Sequence, residues 1–321
     1  MGKRTNTAVG KVPQGEGGES RIGNTTRSRL RRKSSLVDTF EVLNDAAAAE
    51  LMRLWPAEGQ PLTPDGVHAI RVAIRRLRSG LRQFRTKETS NAIRARDVQL
   101  RALAMALAPV RELDVLRRLI LELRHDGLAD RSVEMLDLAL ENARQRHAET
   151  AARQLNETEA RALFSALADT AEAHRRMIDA SQSAITVTRH APRQLQRAFK
   201  RLAKRCHDFD RLGLEELHEA RKALKTLRYT FELYQRLYPS KQAAATALRL
   251  KAMQEAFGAL NDLTLTHHLQ DAAEVDGALG FAAGYYAGAL HARIPEVRQA
   301  AETAWDKLRR APLVENRFRL D

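Results

Sequence analysis

The sequence predicts an all-α protein that contains two copies of one helical unit. From residue 39 onward, apolar residues recur at spacings of three and four, and the alternating pattern of a half-buried strand is absent. Two pairs of segments also match each other at a fixed offset of 150 residues. The length of 321 residues is enough for one large domain or for two of about 150 residues each.

About twelve helices follow from this periodicity, because proline and glycine fall mainly between the periodic segments. Thr63 before Pro64, and Ser240 after Pro239, are expected to cap two of them. The short connections predict antiparallel neighbours packed as bundles. The predicted helices span residues 38–55, 64–87, 91–108, 111–125, 130–154, 157–181, 190–209, 214–237, 241–258, 260–274, 277–291 and 295–310.

The internal matches indicate a duplication. Residues 68–78 (HAIRVAIRRLR) match residues 218–228 (HEARKALKTLR), and residues 107–115 (LAPVRELDV) match residues 257–265 (FGALNDLTL). Two separate matches at one offset are typical of a repeated unit. We therefore expect two helical bundles related by a pseudo-two-fold axis, with a groove or pore on that axis lined by the same helix of each copy.

The domain organisation follows from charge and periodicity. Residues 1–36 hold nine Lys or Arg, two Glu and six of the 16 glycines, so they are predicted to be a disordered basic tail. This tail is either a solubilising segment or an electrostatic arm for a polyanion. The first helical-bundle repeat is assigned to residues 37–185, the second to residues 186–312, and a C-terminal tail to residues 313–321.

One face of the first repeated helix is entirely cationic. His68, Arg71, Arg75, Arg78 and Arg82 are spaced by 3, 4, 3 and 4, which places them in a stripe about 21 Å long at roughly 1.5 Å per residue. No acidic residue lies between positions 66 and 87, and an apolar seam runs along the adjacent face. The second copy carries a shorter stripe, which consists of His218, Arg221, Lys225 and Arg228.

Such a stripe is either a solvated face or an anion-binding surface. A solvated face usually mixes signs, and like charges at i,i+4 cost about 0.2–0.5 kcal/mol per pair in an isolated helix. Because like charges are repeated in both copies in spite of this cost, anion binding is favoured over a solvated face. Guanidinium groups bind two phosphate oxygens at once. The regular spacing suits a linear polyanion, and no glycine-rich phosphate loop is present.

Other cations are second-rank candidates for the same polyanion. Those on the helix at 190–209 form either an extension of the binding surface or an ordinary solvated face. The stripe histidines either contact phosphate, in which case affinity rises as pH falls toward 6, or hydrogen-bond to neighbouring helices. The second-rank candidates are Arg76, Arg101, Arg111, Lys251, Arg193, Arg197, Lys200 and Lys204.

The duplicated motif resembles the CHAD domain family, the conserved-histidine α-helical domains. That family has the pattern His-x-x-Arg-(apolar)-x-x-Arg/Lys-x-Leu-Arg twice, with a later Leu-Gly-x-(apolar)-Arg/Asn-Asp-Leu-x-(apolar), and the resemblance covers roughly residues 38–310. It implies two four-helix-bundle-like halves around a basic groove or pore that binds inorganic polyphosphate. It also implies association with polyphosphate granules in some members.

The two copies depart from the family pattern in different places. The first copy has Ala108-Pro109 and Glu112 where the pattern has Gly and Asp. The second copy has Thr226 and Glu232 at the positions of Arg76 and Arg82, which shortens its stripe. Equal use of the two halves is therefore not implied.

Composition narrows the class of protein. The chain has 54 Lys and Arg against 40 Asp and Glu, a net charge of +14, which favours an acidic partner. Only 5% of residues are aromatic, so base stacking on nucleic acid is less favoured than binding of a base-free polymer. Cys206 is the single cysteine, and the longest mostly apolar uncharged stretch has 14 residues. These observations predict a cytoplasmic protein without a membrane span.

No catalytic, cofactor or metal site is predicted. His207 and Asp208 would need further ligands for a metal-dependent phosphohydrolase, and His174, His190 and Asp262 lack the spacing. His267 and His268 with Asp271 are more typical of a helix surface than of a divalent-ion site. The acidic residues of the later motif either favour a helix start or anchor stripe arginines; these are Glu112, Asp114 and Asp262.

The sequence thus predicts a non-catalytic protein that binds inorganic polyphosphate and associates with its granules. Two alternatives use the same residues. One is a basic helical protein that binds nucleic acid, and the other is a polyphosphate-metabolising enzyme or its accessory subunit.

Overall fold

Helices form most of the residues that the computed structural model describes, which are 32–57, 59–84, 90–123, 130–154, 157–177, 186–269 and 277–320. No strand occurs among them, and Ser35 and Thr186 form an isolated antiparallel bridge. The predicted all-α class is confirmed. Within the same residues, no helix is long and apolar enough to cross a membrane.

The helices agree closely with those predicted, apart from the region around residue 259. Three short 3-10 segments, at 209–211, 235–237 and 263–266, follow α7, α8 and α9. The helices are α1 Leu36–Leu54, α2 Pro64–Gln83, α3 Ser90–Ala106, α4 Ala108–Leu123, α5 Asp130–Gln154, α6 Glu157–Met177, α7 Val187–Arg205, α8 Leu214–Tyr234, α9 Ser240–Asp262, α10 Gly277–Ala292, α11 Ile294–Arg309 and α12 Pro312–Glu315.

The two predicted helix caps have different outcomes. Thr63 caps α2 as expected, because its hydroxyl accepts a 3.1 Å hydrogen bond from the backbone N–H of Gly66 and Pro64 occupies the first turn. The predicted cap at Ser240 is wrong. Pro239 occupies the capping position, without a side-chain hydrogen bond, and Ser240 is the first residue of α9.

The two copies of the later motif have different backbones. In the first copy the helix is interrupted at Leu107, between α3 and α4, because Pro109 has no backbone N–H to continue the hydrogen-bond ladder. In the second copy Ala259 keeps its N–H, and α9 continues without a break to Asp262. The predicted break between helices 241–258 and 260–274 is therefore wrong.

This difference also corrects the helix-start interpretation of the acidic residues. Asp262 is the last residue of α9, where the helix macrodipole disfavours a negative charge. Glu112 and Asp114 lie beyond the first turn of α4. None of the three stabilises a helix start, so their roles depend on tertiary contacts.

Three apolar cores formed by described residues hold the helices together. One joins α1 to α6 of the first half, and another joins α7, α8, α9, α11 and α12 of the second half. The third joins α4 and α5 to α10 and the 3-10 segment at 263–266, so both halves contribute to it. The apolar seams beside the cationic stripes are buried, as Ile74 and Leu224 at 0% exposure illustrate.

The structure describes the predicted tails and the junction between the two halves only in part. Residues 1–31 of the basic tail and the junction at 178–185 lie outside the described residues, so the division stays a prediction. The described part of the predicted C-terminal tail, residues 313–320, packs against the second-half core: Phe318 is buried, and Tyr238 donates a 3.0 Å hydrogen bond to the carbonyl of Phe318. It is an integral part of that core.

Candidate functional site

The two cationic stripes meet where α2 packs against α8. Nε of Arg75 donates a hydrogen bond to the Tyr229 hydroxyl at 3.3 Å, and Nε2 of Gln83 donates to the Thr230 hydroxyl at 3.1 Å. Both bonds cross from the helix of the first motif copy to the helix of the second. The stripes therefore share one space between the two helices.

Five cations from three helices form a group that we call the central cationic cluster. Arg75 lies within it and acts electrostatically on each of the other four. Four of the five belong to the predicted stripes, and the fifth was a second-rank candidate. The members are Arg71 and Arg75 of α2, Arg111 of α4, and Arg221 and Lys225 of α8.

Two arginines of this cluster, both half-buried, have a buried Nε–H with hydrogen-bonding capacity left over. Nη1 of Arg71 donates to the carbonyl of Ala104, while Nε of Arg71 and Nε of Arg221 have no partner among the described residues. Burial, together with neighbouring Arg75, lowers the pKa of Arg71 to about 10. Burial also lowers the pKa of Arg221. Because an unpaired buried donor costs about 1–3 kcal/mol, this arrangement indicates a site for an anionic acceptor.

Lys225 is the most strongly perturbed cation of the cluster. Burial, followed by the charges of Arg221, Arg75 and Arg71, lowers its pKa to about 6, against a smaller opposing effect of Asp262. The amine is therefore mostly neutral at pH 7 when the site holds no anion. An anion that enters the cluster favours the ammonium form and draws a proton onto Lys225.

We expect this lysine to make folding stability rise with pH. The unfolded chain keeps the Lys225 proton up to about pH 10.5, whereas the folded chain loses it above about pH 6. The unfolded state thus binds more protons between these values, and stability rises by up to about 1.4 kcal/mol per pH unit. Urea unfolding at pH 6.5 and 8.5 should show this gain in the wild type and not in Lys225→Met. An identical pH dependence in both chains would contradict the assigned environment.

Two carboxylates face the cluster. Burial raises the pKa of Asp262, although Arg221, Arg118 and Arg111 lie near it, and Arg118 approaches it to 4.0 Å. Glu112 accepts a 3.3 Å hydrogen bond from His268, which lowers its pKa, and it acts on Arg71. The alternative prediction that Asp262 accompanies the stripe cations agrees with this placement.

The outer ends of the stripes are neutralised within the fold. Arg78 and Arg82 both pair with Asp97, at 2.7 and 2.9 Å. Against the effect of burial, their hydrogen bonds lower the pKa of Asp97. In the same way Arg76 and Arg228 share Glu232; these pairs measure 3.1 and 2.8 Å.

The two stripe histidines lie at the exposed edge of the cluster. Partial burial of the His68 ring, together with Arg111 and Arg75, lowers its pKa to about 4. His68 is therefore neutral near pH 7 when no anion is bound. His218 hydrogen-bonds through Nδ1 to Oδ1 of Asn261 at 2.9 Å; since an amide oxygen only accepts, Nδ1 is the donor.

The arrangement of repeated motifs is shared with a known family. The CHAD domain family profile matches residues 45–271. This chain belongs to the CHAD domain family. The matched region of this CHAD domain includes both copies of the basic motif and both copies of the later motif.

Two solved structures have the same fold as this CHAD domain. The crystal structure of the CHAD domain from the plant Ricinus communis has a TM-score of 0.74 and 24% identity, and the alignment covers 88% of this chain and 95% of that chain. PptA from Streptomyces chartreusis has a TM-score of 0.64 and 19% identity, with 85% and 100% covered. At these identities the likeness establishes the shared fold. No curated protein sequence matches this chain.

The remaining second-rank cations of this CHAD domain lie on exposed surfaces. Lys251 is 3.7 Å from Glu255, and Arg101 is exposed on α3. The cations of α7 lie on its exposed side, opposite the buried residues that pack into the second-half core. These α7 residues are Arg193, Arg197, Lys200 and Lys204.

Two residues that contact the cluster or its carboxylates were not predicted from the sequence. Arg118 approaches Asp262 and follows Arg111 by seven residues, so helical spacing could have identified it. Tyr229 directly follows Arg228, the last residue of the second stripe, and no sequence motif marks it as part of the site. Its contact with Arg75 spans 154 residues of sequence and is visible only in the folded chain.

The phosphohydrolase hypothesis is not supported by the geometry. His207 and Asp208 pair with each other at 2.9 Å on an exposed turn, whereas His190 packs between the rings of Phe84 and Tyr234. The side chain of His174 and residue Asp271 lie outside the described part of the chain. Within that part, the group of three close potential metal ligands consists of Glu112, His267 and His268.

Proposed function

We propose that this CHAD domain binds inorganic polyphosphate non-covalently, without turnover, in the central cationic cluster. The observation that carries the proposal is that the buried Nε–H groups of Arg71 and Arg221 have no acceptor among the described residues, inside a cluster to which the helices of both motif copies contribute. Phosphate oxygens are acceptors of the required charge. Membership of the CHAD family supports the same ligand, because the resemblance to that family implies polyphosphate binding.

The spacing of the cluster favours a polymer over a single phosphate ester. Arg71 and Arg75 are about one helical turn apart, as are Arg221 and Lys225, and each pair lies on its own stripe. Two rows of cations thus face a shared space, which suits a ligand with a charge on every unit. In this proposal the exposed rings of His68 and His218 are the first side chains that the polymer meets. The arginines paired with Asp97 and Glu232 lie farther along the stripes.

The proposed architecture relates the two stripes by symmetry. We infer a pseudo-two-fold axis between α2 and α8 and a basic pore or groove along it. The side-chain bonds across these helices and the core shared by both halves support this arrangement. We further propose a cytoplasmic protein that associates with polyphosphate granules, with the basic N-terminal tail as an additional electrostatic contact.

A competition experiment tests the function. Labelled long-chain polyphosphate is bound to the full chain, and excess duplex DNA is added. Retention of the polymer supports the proposal, whereas ready displacement by DNA would favour a nucleic-acid-binding protein. Release of phosphate with added Mg²⁺ would instead identify a polyphosphate-metabolising enzyme.

Binding should weaken steeply with salt. About five phosphate contacts at roughly 0.7 released counterions each predict a slope near −3.5 in a plot of log affinity against log salt concentration. Fluorescence anisotropy between low and physiological NaCl measures this slope. A slope near zero would show that the cluster does not form ionic contacts with the polymer.

A further inference from the structure

A pair of adjacent histidines meets a glutamate from the other repeat beside the central cationic cluster. His267 and His268 follow the 3-10 segment after α9, and Glu112 belongs to α4. One potential ligand atom from each of these residues lies within 4.8 Å of those of the other two. The chain thus brings two imidazoles and one carboxylate together across 156 residues of sequence.

The hydrogen bond of His267 leaves its Nε2 atom available to bind a metal ion. Its Nδ1 lies 3.2 Å from the carbonyl oxygen of Thr264. A carbonyl only accepts, so Nδ1 carries the hydrogen and Nε2 keeps its lone pair in the neutral ring. Metal-binding histidines are oriented in this way, by donation from the second ring nitrogen to a backbone carbonyl.

The packing of the two rings is not explained by an ion pair alone. Nε2 of His268 approaches Oε2 of Glu112 to 3.3 Å, which accounts for one histidine. The His267 ring lies 4.0 Å from the His268 ring, centroid to centroid, with an angle of 37° between them. Two imidazoles this close repel each other when both are protonated. A shared cation would instead bind the lone pair on Nε2 of His267 and displace the proton that His268 donates to Glu112.

We propose that Glu112, His267 and His268 bind one divalent transition-metal ion, with Zn²⁺ as the ion that best fits two nitrogens and one carboxylate oxygen. This ligand set occurs in zinc sites that keep a fourth position open for water or another ligand. Mg²⁺ and Ca²⁺ prefer sets made only of oxygen. The ligand atoms must draw together from their present separation, and the exposed side chain of His267 is free to make that adjustment.

This site differs from the combination of His267 and His268 with Asp271 that the sequence suggested. Asp271 was the third ligand there, because it shares a helix face with His267. The structure instead supplies Glu112 from the first repeat, which no local pattern connects with the histidines. The proposal therefore departs from the expectation of no metal site, and it does not require the proposed polyphosphate binding.

Isothermal titration of the full, untagged chain with ZnCl₂ alone tests the proposal. Polyphosphate is left out because phosphates themselves bind divalent ions. We expect one equivalent of Zn²⁺, with affinity at least tenfold lower in His267→Ala and in Glu112→Gln. The matched control is His207→Ala, because His207 is an exposed histidine 2.9 Å from a carboxylate of Asp208; its affinity should equal that of the wild type.

Absence of Zn²⁺ binding in the wild type would overturn the proposal, as would equal affinity in His267→Ala. His267 is exposed, so its replacement leaves the apolar cores intact, and circular dichroism checks this. Visible absorption of bound Co²⁺ provides a second measurement. A tetrahedral spectrum that disappears in Glu112→Gln supports the three-ligand site, and an unchanged spectrum contradicts it.

Discussion

Replacement of Arg71 and Arg221 by glutamine should lower the affinity for long-chain polyphosphate by about 10²–10⁴-fold. Each guanidinium offers a buried Nε–H that has no acceptor among the described residues. A hydrogen bond to a charged group contributes about 1.5–3 kcal/mol, and about 1.4 kcal/mol corresponds to a factor of ten in affinity. Two such contacts therefore give the expected range, which fluorescence anisotropy with labelled polymer measures.

The matched control for this double variant is Arg193→Gln/Arg197→Gln. It removes the same charge from the exposed side of α7, so it separates contact in the cluster from the general attraction of a basic protein. We expect its affinity to fall by no more than a few-fold at physiological salt. Equal losses in both double variants would refute the central cluster as the binding site.

The cluster variant should also remain folded, and this makes the binding result interpretable. Burial, together with neighbouring Arg75, lowers the pKa of both Arg71 and Arg221, against an opposing effect of Asp262 on Arg221. Removal of such groups usually raises stability at the expense of function. Thermal unfolding by circular dichroism should therefore give a midpoint at or above that of the wild type.

Replacement of Arg144 by methionine should destabilise the fold by about 3–5 kcal/mol. The side chain is 7% exposed and donates through Nε to Asp114 at 2.5 Å and through Nη2 to the carbonyl of Leu62 at 2.7 Å. Asp114 is itself 3% exposed. Removal of one partner of a buried ion pair leaves the other charge uncompensated, which accounts for the size of the effect.

Urea unfolding of Arg144→Met and of Arg309→Met measures this difference. Arg309 pairs with Asp306 at 2.8 Å, but both side chains are about half exposed, so its loss should change stability by less than about 1 kcal/mol. The double variant Arg144→Met/Asp114→Leu should recover most of the loss, because no buried charge remains. A single variant as stable as the control would show that the pair does not hold α5 to α4.

Arg71 and Arg78 belong to one stripe but have different surroundings in the fold, and the sequence did not predict this difference. Spacing alone placed Arg71 and Arg78 in one stripe with equal standing. In the fold, Arg78 lies against Asp97 at 2.7 Å, whereas the Nε of Arg71 keeps no acceptor among the described residues. Helical periodicity identifies a shared face, but the neighbours of that face come from other helices.

The amino-acid sequence by itself determined the helical class, the repeated motif, the two stripes and the buried seams beside them. These properties are local, since they depend on residues one or two helical turns apart. The family membership follows from the same motifs. The backbone difference between Pro109 and Ala259 was also present in the sequence, although its effect on helix continuity was not predicted.

Only the tertiary structure decided which cations remain available and which are neutralised. Asp97 and Glu232 form ion pairs with some of the arginines and not with others. Burial lowers the pKa of Lys225 to about 6. Glu112 accepts a hydrogen bond from His268. Burial and charge pairing depend on contacts between segments that are far apart in the chain. A local pattern contains no information about those distances, and so the chemistry of the site depends on the packing of helices that are distant in the sequence.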